Sequence, residues 1–416
     1  MIKKNMTTIA AKRSAPSSYN ARIKVVGIGG GGGHAVSRMY DNLGVRGVEF
    51  IAINTDIQDL EYCQAKRKIQ IGKNLTRGLG AGMNPEIGRQ AAEENRAEIA
   101  ETLKGADLVF LTAGLGGGSG SGGILTVADT ARENGILTVA VVTKPFAFEG
   151  AQRAKIAQEA LAKLKDKVDT LIVVPNDKIF DIIKKDTPLL KAFEHIDDVL
   201  RSAVQGIAEL IAMPGIVNVD FADIKAIMQN SGPALVGIGI ASGQERATAA
   251  ANQAIHSPLL EISVDGAKGV LFGISGGRDM RMTEINEIAK SISQTIDPSA
   301  KIIFGAYHDR KLKPGQIKVV LIATGFGAHF GRDNESVAPS LFNPESNFGL
   351  SKAEYSNPIN APLKEMPASS KETKEKSEKP LKEAKDDNKK TGAQIPPKKD
   401  DDLWDIPAFL RKRRRE

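Results

Sequence analysis

Apolar positions in this chain gather into short, nearly continuous runs, separated by stretches whose apolar residues recur with helical spacing. Runs rich in β-branched residues occupy 23–29, 48–54, 107–113, 136–143 and 170–175. Strands separated by helices imply βαβ units, and strands that are apolar on both faces imply a parallel sheet covered on each side. A long amphipathic helix is predicted over Leu189–Ala212, ended by Pro214 and Gly215. Beyond it, strands near 234–241, 269–275, 301–306 and 316–323 and helices near 244–255 and 283–294 predict a second, smaller α/β domain.

The pattern fades at both ends. Residues 1–22 are small, polar and basic without periodicity, which reads as a flexible extension. After Gly331 the chain turns to Lys, Glu, Ser, Asn and Pro, with too few large apolar residues to offset chain entropy, so 331–400 is expected to be a disordered linker. Apolar residues return within 401–416, a tethered C-terminal peptide carrying Trp404, Asp405, Ile406, Pro407, Phe409 and Leu410. Asp405 can cap a short helix, Pro407 suits its first turn, and Ile406, Phe409 and Leu410 share one face. The expected organisation between these ends is a parallel-sheet domain over 23–195, a central helix and connecting loop over 196–218, and the smaller α/β domain over 219–330.

Composition removes several classes. One cysteine allows no internal disulfide and no four-thiolate zinc site, and the five histidines form no HExxH pair. No apolar run approaches the roughly 18–20 residues that span a bilayer, and no apolar core follows the basic N-terminus, so the chain reads as cytoplasmic without a transmembrane segment. The net charge of +7 suggests nucleic acid until it is divided along the chain. Residues 1–22 hold five basic and no acidic residues, and 331–416 hold 18 basic and 16 acidic; the body between them carries 34 of each sign. A neutral body with 5% aromatics offers no basic stacking surface for nucleic acid.

Two glycine-rich segments carry the chemistry. The first strand runs through Gly27 and Gly29 into Gly30, Gly31, Gly32, Gly33 and His34, where a helix begins near Ala35. The second, between a strand ending at Ala113 and a helix beginning near Ile124, has seven glycines among residues 114–123, with Ser119 and Ser121 as the hydroxyls. Such segments bring backbone N–H groups and helix N-termini against phosphates. The parallel-sheet domain therefore reads as nucleotide-binding, and the absence of GK[ST] excludes a Walker A loop.

GGGSGSG at 116–122 resembles the GGGTGTG signature of the tubulin/FtsZ GTPase family. GIGGGGGHAV, FIAINTD, AGMNPEIGR, VTKPFAFEG, VVPNDK and NVDFADI resemble blocks of its bacterial FtsZ branch in order and spacing, and DIPAFLRK resembles that branch's terminal peptide. The chain departs from the pattern in Ser119 and Ser121, where threonines are usual, and in His34, where asparagine is usual. The resemblance implies GTP and GDP as ligands, with phosphates on Gly30, Gly31, Gly32, Gly33, His34, Gly118, Ser119 and Gly120. It implies Glu149 and Arg153 on ribose and phosphate, Asn176 and Asp197 on the guanine edge, and Phe193 stacked on the base; the neighbouring Asp198 is not distinguishable from Asp197 by sequence. Mg²⁺ is implied as a phosphate-bound ion rather than one caged by protein.

The resemblance further implies catalysis by Asn218, Asp220 and Asp223 of one subunit acting on the γ-phosphate held by the next. That requires a head-to-tail contact, which generates a homopolymeric filament. Asp220 and Asp223 also fit a helix capping box, and both roles stay open. A filament of the bacterial division ring (Z ring) at mid-cell is implied, with the terminal peptide docking on membrane-tethering division proteins such as FtsA. Arg411, Lys412, Arg413, Arg414 and Arg415 add a candidate contact to anionic lipid or DNA. Two rival readings remain. One is a nicotinamide-dependent oxidoreductase, from GxGxxG at Gly27, Gly29 and Gly32 with Asp56 at ribose distance. The other is a serine hydrolase, from the GxSxG around Ser275.

Overall fold

The computed structural model describes residues 21–326 apart from 43–46, 182, 184–185, 213–214, 258–262 and 310. The linker 331–400 and the terminal peptide, with Trp404, Asp405, Ile406, Pro407, Phe409, Leu410 and the five basic residues from Arg411, lie outside the described residues, as does nearly all of the N-terminal extension.

The first half of the chain alternates as the apolar runs require: β1 (Ile23–Ile28), α1 (Gly29–Asn42), β2 (Val48–Asn54), α2 (Ile57–Tyr62), β3 (Arg67–Gln70), α3 (Lys73–Thr76), α4 (Pro85–Glu94), α5 (Arg96–Leu103) and β4 (Leu108–Gly114). It continues with α6 (Gly118–Glu133), β5 (Leu137–Lys144), α7 (Ala151–Leu164), β6 (Thr170–Pro175) and α8 (Leu189–Ala212). Then come α9 (Phe221–Met228), β7 (Gly232–Ser242), α10 (Arg246–Ile255), β8 (Gly269–Gly276), α11 (Met282–Ser293), β9 (Lys301–His308) and β10 (Gln316–Thr324). Only β3 has no counterpart in the apolar pattern: it is a four-residue strand at one edge of the sheet, and of its residues Ile69 alone is buried.

Both predicted sets of strands join one ten-stranded sheet, ordered β3-β2-β1-β4-β5-β6-β7-β10-β8-β9. Pairing is parallel from β3 through β7, antiparallel where β10 meets β7 and β8, and parallel again between β8 and β9. The two sets meet through three residue pairs, Thr170 with Gly232, Leu171 with Pro233 and Ile172 with Ala234. On one face of the sheet α1, α8 and α9 bury Val36, Met39, Val204, Ile207 and Ile224; on the other α4, α5, α6 and α7 bury Ala91, Ile99, Ile124 and Ala157. A third cluster under α10 and α11 includes Ala250, Ile288 and Phe272.

Helix α8 crosses both halves on one face. Gly206 lets it approach Val320, and Leu210 sits over Gly273 and Gly305. It also carries a buried polar group: Glu209 accepts a hydrogen bond from the Tyr307 hydroxyl at 2.8 Å, bonds the Gln205 amide, and lies 3.7 Å from the Lys318 ammonium. Burial, with Glu209 beside it, pushes the Tyr307 phenol far above its ordinary range. Four ionisable or polar side chains inside an apolar interface fix the register of α8 on the sheet, because any slip would strand one of them unpaired.

On the opposite face α6 lies against α4 at a distance only glycine allows. A Cβ on Gly122 would collide with the Pro85 carbonyl oxygen and stand 2.6 Å from the Arg89 nitrogen, whereas nothing lies within 4 Å of one on Gly117. Gly122→Ala is expected to lose about 2 kcal/mol or more in urea unfolding and Gly117→Ala less than about 0.5 kcal/mol. Equal stability of the two variants would contradict this packing.

Candidate functional site

In the order β3-β2-β1-β4-β5-β6 the direction of winding reverses between β1 and β4, and α1 and α6 leave these strands toward opposite faces. That reversal opens a crevice at the strand C-termini, where open α/β sheets place ligands. The glycine segments meet there. Gly29 takes a left-handed φ of +72°, and a Cβ on it would stand 2.8 Å from the Gly120 nitrogen; one on Gly31 would stand 3.3 Å from the Gly114 Cα.

The helices start earlier than their glycine content suggests. Glycine is about 1 kcal/mol poorer than alanine inside a helix, so the sequence places the starts near Ala35 and Ile124; the helices begin at Gly29 and Gly118, because packing overrides propensity. The first N–H groups of each helix have no partner within it and carry the positive end of its dipole. Gly30, Gly31 and Gly33 line the exposed or half-buried side of the first turn, and His34 is exposed one turn along. Gly32 is buried: a Cβ there would collide with the Thr112 carbonyl oxygen, so it seats α1 on the sheet. In the second turn Gly118 and Gly120 are closed in by Ala81, Asn84 and Gly114. The Ser119 hydroxyl pairs with that of Thr55 at 2.5 Å, and the buried Ser121 hydroxyl accepts the Gly116 N–H at 2.9 Å.

A second group gathers beside these turns. Asn176 follows β6 directly, and its side-chain oxygen is buried without a hydrogen-bond partner. A buried carbonyl without a donor is costly, and a ligand N–H would satisfy it. Phe193, half-buried in the first turns of α8, packs edge-on against Phe146 with ring centres 5.6 Å apart. One turn later Asp197 receives the Arg38 guanidinium of α1 at 2.9 Å, whereas Asp198 is turned outward to Arg201 at 2.8 Å, which separates the two acids that are equivalent in sequence. Burial pushes the Asp197 carboxyl up to about 7, against the pull of Arg38 and with help from Asp198 and Glu194. Glu149 accepts the Phe146 N–H at 2.9 Å and pairs with Arg153 at 3.0 Å, and Arg153 packs against Gly116. No sequence pattern singles out Arg38 or Thr55; each is visible only through its partner in space.

Asn218, Asp220 and Asp223 are not part of this gathering. Residues 189–212 form a helix about 36 Å long that leads away from Phe193 and Asp197, and α9 ends against Thr170 at the opposite end of β6 from Asn176. Asn218 accepts the Gly215 N–H at 2.6 Å. Asp220 stands at the N-cap of α9, but the expected capping box does not form. The Asp223 N–H goes to the Asp220 carbonyl oxygen at 3.0 Å instead of to its carboxylate, and both carboxylates are exposed and without side-chain partners among the described residues.

Both rival readings lose their residues. Asp56 is the N-cap of α2, its carboxylate accepting the Gln58 and Asp59 N–H groups at 2.9 and 3.3 Å. Ser275 is buried within β8 with its hydroxyl 3.5 Å from the Lys318 carbonyl, so no exposed nucleophile turn exists there. Among the described residues no cluster of three or more His, Cys, Asp or Glu could hold a metal, and no helix is long and apolar enough to cross a membrane.

Residues 22–184 match the family model described as Tubulin/FtsZ family, GTPase domain, and residues 232–327 that of FtsZ family, C-terminal domain. Among solved structures, an empty FtsZ dimer from M. jannaschii is similar, at 46% identity and a TM-score of 0.71, over 74% of this chain and 89% of that one. CetZ2 from Haloferax volcanii, a GTPγS-bound protofilament, shares the fold with a TM-score of 0.63 at 22% identity, over 73% of this chain and 92% of that one.

The raised Asp197 carboxyl has a consequence with a definite sign. A carboxylate whose folded pKa lies above its unfolded value weighs against the folded state as it ionises. The stability of the unliganded protein relative to Asp197→Asn is therefore expected to fall as pH rises from about 4 to about 7 and to level off above. Urea unfolding of both proteins across this range tests it; a difference independent of pH would contradict the assigned burial.

Proposed function

The chain belongs to the tubulin/FtsZ family of GTPases, within its FtsZ branch, and on that premise we propose that it polymerises head to tail and hydrolyses GTP where one subunit meets the next. Guanine nucleotide is the ligand that the family implies. Its phosphates lie over Gly30, Gly31, Gly33 and His34 and over Gly118, Ser119 and Gly120, with Gly32 holding α1 in place. Guanine offers two adjacent N–H donors and a carbonyl. Asp197 in its ionised form and the unpartnered Asn176 oxygen accept from the donor edge, and Phe193 covers the base. Glu149 and Arg153, paired at 3.0 Å beside the second glycine turn, are the groups for ribose and phosphate. Mg²⁺, when bound with the nucleotide, would neutralise phosphate charge; the hydroxyl and backbone lining, with no carboxylate cluster among the described residues, fits an ion that the protein does not cage.

The observation that carries the reading is the placement of Asp220 and Asp223. Two exposed carboxylates without side-chain partners among the described residues stand far from the crevice of their own chain, so they serve chemistry only across a contact with another copy. Such a contact joins different surfaces and extends into a filament. Asn218 shapes this loop from its Gly215 bond, and the acids orient water toward the γ-phosphate. The process we assign is bacterial cell division, with filaments forming a cytoplasmic ring at mid-cell. The peptide 401–416 recruits membrane-tethering proteins such as FtsA, and its basic residues reach anionic lipid or DNA. The motif resemblance and the composition of that segment support these assignments.

Phosphate release is expected to be negligible below a threshold protein concentration and to rise steeply above it. Asp223→Ala should lower turnover about a hundredfold or more while leaving GTP affinity within about twofold. Mixing it with a nucleotide-site variant, Asp197→Ala, should restore turnover, since each supplies the half the other lacks. A specific rate that is constant at all dilutions, or mixtures no faster than their parts, would overturn catalysis between subunits.

A further inference from the structure

One charge in the crevice has no role in the mechanism. Asp59 occupies the first turn of α2, and its Oδ2 lies 2.7 Å from the point where a Cβ of Gly30 would stand, so the carboxylate rests directly against the first turn of α1. Its neighbour Asp56 spends its carboxylate on two N–H groups of α2, but Asp59 has no side-chain hydrogen bond or ion pair among the described residues. The contact is held by the next turn of α2. Cys63 lies under Gly33, bonds its carbonyl at 3.4 Å and accepts the Ser37 hydroxyl at 3.2 Å, which fixes α2 alongside α1. The neighbouring cations are engaged elsewhere, Arg38 on Asp197 and Arg153 on Glu149.

We propose that Asp59 sets the charge requirement of the phosphate crevice: its carboxylate repels the phosphates that settle on the α1 turn, and so weakens the binding of the more highly charged nucleotides. The inference rests on phosphate binding at Gly30, Gly31 and Gly33 proposed above. A negative charge a few ångströms from a diphosphate, in the partly solvated mouth of a crevice, weakens binding on the order of three- to tenfold, less as salt screens it. A purely structural role, support of the α2 dipole, would affect unfolding and leave ligand charge without influence.

The test is calorimetric titration of the nucleotide-free full chain with GDP and with guanosine, in chelator, at low and high salt. Asp59→Asn is expected to bind GDP about three- to tenfold more tightly than wild type at low salt, with the gain shrinking at high salt and absent for guanosine. Asp59→Glu, which keeps the charge, should show no gain. Equal GDP affinities in wild type and Asp59→Asn, or an equal gain for guanosine, would overturn the inference alone. If neither protein bound guanosine or GDP, the guanine-nucleotide reading would fall and this inference with it.

Discussion

Two helices at the strand reversal approach the sheet, and each other, more closely than any side chain permits. Gly27 and Gly32 bring α1 onto β1 and β4, Gly29 meets Gly120, and Gly118 and Gly122 bring α6 against the segment leading into α4. Each of these glycines inside α1 or α6 weakens its helix by about 1 kcal/mol relative to alanine, and the apolar clusters on both faces of the sheet offset that loss. The close approach has an electrostatic result. Two helix N-termini, each with unpaired N–H groups, converge on one crevice, and an anion placed there faces both dipoles at once. Replacing any of these contacts by a side chain would separate the dipoles before it disturbed a ligand.

The long helix carries a second dependency. Phe193 and Asp197 stand in its first turns, and the chain leaving its far end delivers Asn218, Asp220 and Asp223. Between them, Gln205 and Glu209 tie the helix to Tyr307 and Lys318 inside the core. The base-facing residues and the acidic loop are thus mounted on one rod whose register is set by buried polar groups. Polar bonds inside a core specify position more sharply than apolar contacts, because a shifted register leaves a charge unpaired rather than merely a looser fit.

Much of this architecture is legible in the sequence, and the exceptions share causes. Strands that are apolar on both faces announce themselves in any parallel sheet, so nine of the ten are visible, and β3 escapes because an edge strand with a single buried residue leaves no pattern. The helix starts at Gly29 and Gly118 precede the positions that propensity favours, because local preference and tertiary packing disagree there. The capping box at Asp220 fails for a different reason: the spacing is right, but the Asp223 N–H that the side chain would have served is taken by the Asp220 backbone carbonyl. Arg38 and Thr55 cannot be read at all, since nothing in a sequence records that a guanidinium on α1 will face an acid more than 150 residues later.

The sheet passes from its first half to its second through three residue pairs, one of which uses Pro233, a residue with no N–H to donate. So narrow a seam in the sheet leaves α8, and the apolar cluster it shares with both halves, as the main tie between them. An exchange of either half between related chains would have to preserve a short stretch of β6, the left-handed turn at Gly232 with φ of +70°, and the face that α8 presents. A change in the nucleotide crevice or in the acidic loop is then free of the other only as far as it leaves α8 and its buried partners in place.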